Sequence, residues 1–203
     1  MSTTRLEAFS DGVVAILITI MVLELRPPHA PSFAALRAVL PTFLSYVLSF
    51  VFLAIYWNNH HHMLHLTSRV TGGILWANLH LLFWLSLVPF VTAWLGQNHT
   101  AAAPTALYGI VLVCAAFAYT ILQRTIIAGQ GAHSRLARAI GRDRKGKLSL
   151  ALYLTAIPLA FVRPAISDLL YATVALIWFV PDQRIEHAVA DHGERSLGEH
   201  THA

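Results

Sequence analysis

Charge is what this sequence has least of: 14 Lys and Arg and 10 Asp and Glu in 203 residues, 12% in all, against roughly 25% in an average soluble domain. So few charged side chains cannot cover the surface of a soluble core, which excludes a water-soluble domain. Cysteine is nearly absent, because Cys114 stands alone inside an apolar run. An internal disulfide and a CxxC metal or redox motif are thereby excluded. No period of about 20 to 50 residues recurs, so the chain is no solenoid. Gly129-Gln130-Gly131 is too short for a phosphate-binding loop, and no GxxxxGK follows it. No Ser, His and Asp set and no paired carboxylates share a plausible cleft, so the reading is no enzyme and no cofactor. The isoelectric point near 9.6 invites a nucleic-acid reading. Basic and aromatic residues do not interleave as such a surface needs, and nucleic acid is not expected as a partner.

What is present is apolar: 56% of residues, with a mean hydropathy of +0.59. A bilayer core about 30 Å thick takes roughly 20 apolar residues per helix. Six segments approach that length, at residues 4–25, 41–58, 73–95, 105–127, 148–162 and 164–180. The first ends at Arg26-Pro27-Pro28, where proline removes backbone donors. It has no basic leader or small-residue cleavage site and reads as a retained helix. The last two are short, joined by Arg163-Pro164, and are expected to form a tight helical hairpin. The fold class is all-α, a polytopic membrane protein with six transmembrane helices per subunit. Residues 1–182 form the membrane domain, and residues 183–203 are expected to be a polar cytoplasmic tail.

Lys and Arg concentrate on the cytoplasmic side of membrane proteins. With an inner N-terminus, inner segments hold 11 of them, seven between Arg124 and Lys147, while outer segments hold Arg26, Arg37 and Arg163. Both termini are therefore expected in the cytoplasm of a multi-pass protein of the cell membrane. The basic stretch is read as a topology anchor that also meets anionic lipid.

The segment Arg5-Leu6-Glu7-Ala8-Phe9-Ser10-Asp11-Gly12 resembles the RxxxFSDG signature that opens the first helix of the lysosomal/endosomal transmembrane potassium channel family. The likeness continues through Tyr56-Trp57-Asn58-Asn59-His60-His61, Leu75-Trp76-Ala77-Asn78-Leu79, Ser86-Leu87-Val88-Pro89-Phe90 and Pro181-Asp182-Gln183-Arg184. The resemblance implies a single-repeat subunit of the prokaryotic type, a homotetramer, and potassium passing along an axis lined by the first helix of each copy. It places the apolar narrowing at Ile16, Ile20 and Leu23, and a hydroxyl layer of the selectivity region at Thr19. At about 100° per residue, these four occupy one narrow stripe, and Asp11 lies about 140° from Ile16. Without the signature upstream, such a stripe is ordinary lipid-facing or helix-facing surface. The resemblance also implies a structural polar network joining the first three helices, with Arg5, Ser10, Asp11, Trp57, His60, His61 and Asn78 as candidates. Which histidine takes part stays open.

His61 and His65 stand one helical turn apart, a spacing that can hold zinc or copper. No acidic or cysteine ligand adjoins them in sequence, so no metal site is assigned, and proton sensitivity is the better use of these residues. His80 is read as an interhelical hydrogen-bonder. The alternative to a channel is a small proton-coupled secondary transporter or exporter using Asp11, His60, His61 and Asn78. Pro89 and Pro158 are the places where its helices would break, although two symmetric halves are not visible.

Overall fold

The computed structural model describes residues 2–131, 134, 136, 137 and 143–179. The expected tail at 183–203, and Arg135, Arg138 and Arg142 of the basic stretch, lie outside the described residues. The chain is all-α. Its helices are α1 (Thr3–Leu23), α2 (Leu40–His65), α3 (Gly72–Ser86), α4 (Val88–Gln97), α5 (Ala102–Gln130), α6 (Arg144–Ala160) and α7 (Pro164–Phe179), with a 3₁₀ turn at Phe33–Ala38. Four stretches are long and apolar enough to cross a bilayer, namely α1, α2, α3 with α4, and α5, while α7 is a shorter apolar helix.

Local chemistry sets most of the boundaries. The Ser2 side chain accepts from the Arg5 amide and starts α1, Thr71 does the same for Ile74 in α3, and Asp143 for Gly146 in α6. Gly131, at φ 92°, ends α5 with its amide on the Ile127 carbonyl at 2.9 Å. Two boundaries differ from the sequence reading. The second helix does not stop at residue 58 but runs two turns further to His65, and in that extension His60 bonds to Asn78 of α3 and His61 meets Glu7 of α1. The third segment is broken at Leu87 into α3 and α4, since Pro89 in the first turn of α4 lacks the donor that would continue the ladder.

The core is centred on α5, which packs against α3, α4, α6 and α7. Tyr108, Leu112, Ala115, Ala118, Leu122 and Ile126, at intervals of three or four, are each no more than 1% exposed. In the most apolar stretch of α5, 56% of residues are buried, against 28% for α1. The first helix is thus a peripheral element, held along one side by α2, α3 and α4.

Close approach fixes α2 on α4. The Thr42 hydroxyl donates to the Gly96 carbonyl at 3.2 Å, and a Cβ placed on Gly96 would lie 2.8 Å from the Thr42 Cα. Backbone stands in the way there, so no rotamer change relieves the clash. Gly96→Ala is expected to destabilise the fold by about 1 to 3 kcal/mol, the usual cost of overpacking. Thermal unfolding in detergent measures it, and an unchanged midpoint contradicts the contact.

Candidate functional site

The N-terminal half of α1 carries Glu7 and Asp11 one turn apart, and the antiparallel α2 carries Trp57 and His61 one turn apart. The two pairs meet as rungs. His61 Nδ1 lies 2.6 Å from Glu7 Oε1, and Trp57 Nε1 donates to Asp11 Oδ1 at 2.9 Å. Trp57, His61 and His65 continue as a ring stack along α2, at 6.2 Å between successive centroids.

One position round the helix, Ser10 faces α3 and is buried. Its hydroxyl donates to the Leu6 carbonyl at 2.9 Å, so its lone pairs are free to accept from the Asn78 amide nitrogen at 3.0 Å. The Asn78 oxygen then points to His60 Nε2, 2.6 Å away. Because that oxygen can only accept, Nε2 must carry the proton, which fixes the His60 tautomer. Ser10, Asn78 and His60 are 1%, 0% and 5% exposed, so α1, α2 and α3 are joined by a polar chain shielded from solvent and lipid.

The structure therefore brings together Ser10, His60 and Asn78 in one set, and Asp11 with Trp57 and His61 with Glu7 in another. Arg5 joins neither. It is exposed, and among the described residues its side chain has no hydrogen-bond or ion-pair partner. The helical turn explains why: Arg5 lies about 120° from Asp11 but only about 20° from Ile16. Glu7 was missed by the sequence reading, although its spacing of four from Asp11 was the available signal. His80 accepts from its neighbour Trp84 Nε1 at 3.0 Å on the same helix, rather than bonding between helices. No group of three or more metal-ligating side chains occurs among the described residues.

The opposite side of α1 is bare. Ile16, Ile20 and Leu23 are 57%, 43% and 77% exposed, and Thr19 beside them is exposed as well. Arg5, Phe9 and Gly12 extend the same uncovered stripe toward the N-terminal end. The Thr19 hydroxyl donates to the Ile16 carbonyl at 2.9 Å, which commits its hydrogen to the helix and turns its oxygen lone pairs outward.

A helix pinned on one face and bare on the other is what the FSDG resemblance called for, and comparison with known proteins bears on it directly. The sequence profile described as endosomal/lysosomal potassium channel TMEM175 matches residues 5–89. A protein of Chryseobacterium sp. (strain P1-3), named a potassium channel, is 51% identical over 191 residues, covering 94% of this chain and 100% of that one. The chain belongs to the TMEM175 family. A crystal structure of a lysosomal potassium-selective channel TMEM175 homolog from Chamaesiphon minutus superposes with a TM-score of 0.73 at 26% identity, over 89% of this chain and 97% of the other. The human endosomal/lysosomal proton channel TMEM175 is 37% identical over 73 residues, which is 30% of this chain and 14% of the human protein. The TMEM175 relatives are thus named as channels rather than enzymes.

A second polar cluster has no counterpart in the sequence reading. Thr92 of α4 donates to Ser49 of α2 at 2.6 Å, and Ser49 pairs with the Tyr108 hydroxyl of α5 at 2.9 Å. Single Ser, Thr and Tyr residues inside apolar runs carry no pattern that marks them as partners.

Proposed function

We propose that four copies of this chain form a potassium channel of the cell membrane, with α1 of each copy lining the pathway. Six segments of each subunit cross the bilayer, counting α3 and α4 as one, and both termini are cytoplasmic. The short α6 and α7 span about 25 Å each, at the lower limit for crossing. The observation that carries the proposal is the bare stripe on α1. A purely lipid-facing stripe has no use for Arg5, Gly12 and Thr19, whereas a water-filled axis accommodates all three. Family membership supplies the rest of the argument.

On this reading Ile16, Ile20 and Leu23 form successive apolar rings, and Thr19 presents an oxygen ring between them. An apolar neck gates by excluding water. An ion entering it sheds part of its hydration, which costs less for potassium than for the more tightly hydrated sodium. The ladder and the buried chain hold α1 at a fixed angle and are structural or gating parts. The carrier alternative gains no support from two cavities among the described residues, neither of which is lined by Asp11, His60, His61 or Asn78.

Purified protein in liposomes is expected to pass potassium down its gradient without saturating at low concentration. Countertransport, or a tetramer that passes no ions, contradicts the channel reading.

A further inference from the structure

A groove of about 610 Å³ lies between α1 and α4, beside the bare stripe. Leu17, Ile20 and Glu24 supply one wall, and Ser86 at the end of α3 with Phe90, Trp94 and others of α4 supplies the opposite one. From Ser86 to Gln97 the groove is roughly 16 Å long, about half the thickness of the hydrocarbon core. Its volume falls inside the about 300 to 1,000 Å³ typical of small-molecule sites. The walls are mostly apolar, but Glu24 sits at the end remote from the polar ladder. That carboxylate is exposed and has no ion-pair or hydrogen-bond partner among the described residues.

We propose that this groove binds a single-chain amphiphile with a cationic head, such as an alkylammonium, with its chain along Phe90 and Trp94 and its charge at Glu24. One anion at the mouth of an apolar slot one leaflet deep selects a cation of that shape and disfavours an anionic one. Ile20 belongs both to the groove and to the bare stripe, so an occupant bears on the side chain assigned to the second apolar ring. That coupling rests on the channel reading, whereas binding itself does not.

The test uses the full chain in lipid nanodiscs with dodecyltrimethylammonium brominated on the chain close to the head. A saturable component of tryptophan quenching is expected, one that Trp94→Phe removes while the other four tryptophans keep only non-saturable quenching, and that binds about fivefold more weakly in Glu24→Gln, the weight of one partly exposed ion pair. Filling the slot with Ala93→Leu is expected to weaken it as well. Dodecyl sulfate is not expected to compete. Quenching that is the same in Glu24→Gln overturns the site, as does equal quenching by a brominated two-chain phosphatidylcholine, which marks ordinary lipid contact. If Ala93→Leu dissociates the assembly on size exclusion while amine binding persists, the groove holds a neighbouring subunit and the proposal fails. Because this measurement involves no ion flow, a chain that binds the amine but conducts nothing sinks only the channel reading. A conducting chain that does not bind the amine sinks only the groove.

Discussion

Replacing Ile16 with asparagine is expected to raise potassium conductance about tenfold and to move the reversal potential under opposed potassium and sodium gradients toward zero. Ile16 is the first apolar side chain of the bare stripe after Gly12, and it is 57% exposed in the isolated subunit. If four copies meet at an axis, the Ile16 ring is a dry neck, and the barrier is the hydration an ion gives up there. An amide of similar size offers donors and acceptors to water and to the ion. Lowering the barrier by about 1.4 kcal/mol is enough for a tenfold rise in rate.

The same change weakens discrimination, because the neck selects by making dehydration costly and asparagine removes that cost for sodium as well as potassium. Single-channel recording in planar bilayers measures both effects. Were Ile16 turned to lipid instead, the amide would sit in hydrocarbon, lower stability and leave current per channel untouched. Unchanged conductance and reversal potential therefore remove α1 from the pathway.

Much of the helix content was legible because its punctuation is chemical. Arg26-Pro27-Pro28 and Arg163-Pro164 mark boundaries with proline, and uncharged apolar runs lie between them. The break at Leu87 was only half legible. Pro89 announced that a helix was interrupted, but whether proline kinks a span or merely opens a new turn depends on what packs against it. The extension of α2 to His65 was hidden by composition, since Asn58 to His62 reads as a polar stop. The helix continues there because Asn78 and Glu7 on other helices meet His60 and His61, which no local pattern reveals. Arg5 failed for a related reason. Its charge suggested a partner for Asp11, while simple helical geometry, applied to Asp11 and Ile16 but not to Arg5, would have put it on the bare side.

Asn78→Ala is expected to destabilise the protein by about 2 kcal/mol and to disturb conduction without touching the bare stripe. The Asn78 side chain is fully buried, donating to Ser10 and accepting from His60. Truncation removes both bonds, orphaning His60 at 5% exposure and leaving Ser10, at 1%, with only its bond to the Leu6 carbonyl. In a soluble core each orphan costs about 1 to 3 kcal/mol. Interhelical hydrogen bonds in membranes are worth less, about 0.6 kcal/mol on average and about 1.7 at most, because a chain loosened within the bilayer finds other partners. Two such bonds at about 1 kcal/mol each, between that average and that maximum, give the expected figure. The decisive measurement is the cycle with His60→Ala. Removing both partners leaves no imidazole or amide orphaned, so the double variant is expected to lose about 1 kcal/mol less than the two single losses together. Simple additivity in thermal unfolding means that His60 and Asn78 do not depend on one another, and the buried chain then has no part in fixing α1. Non-additivity accompanied by altered potassium flux ties the angle of the pore-facing helix to a hydrogen bond made between its two neighbours.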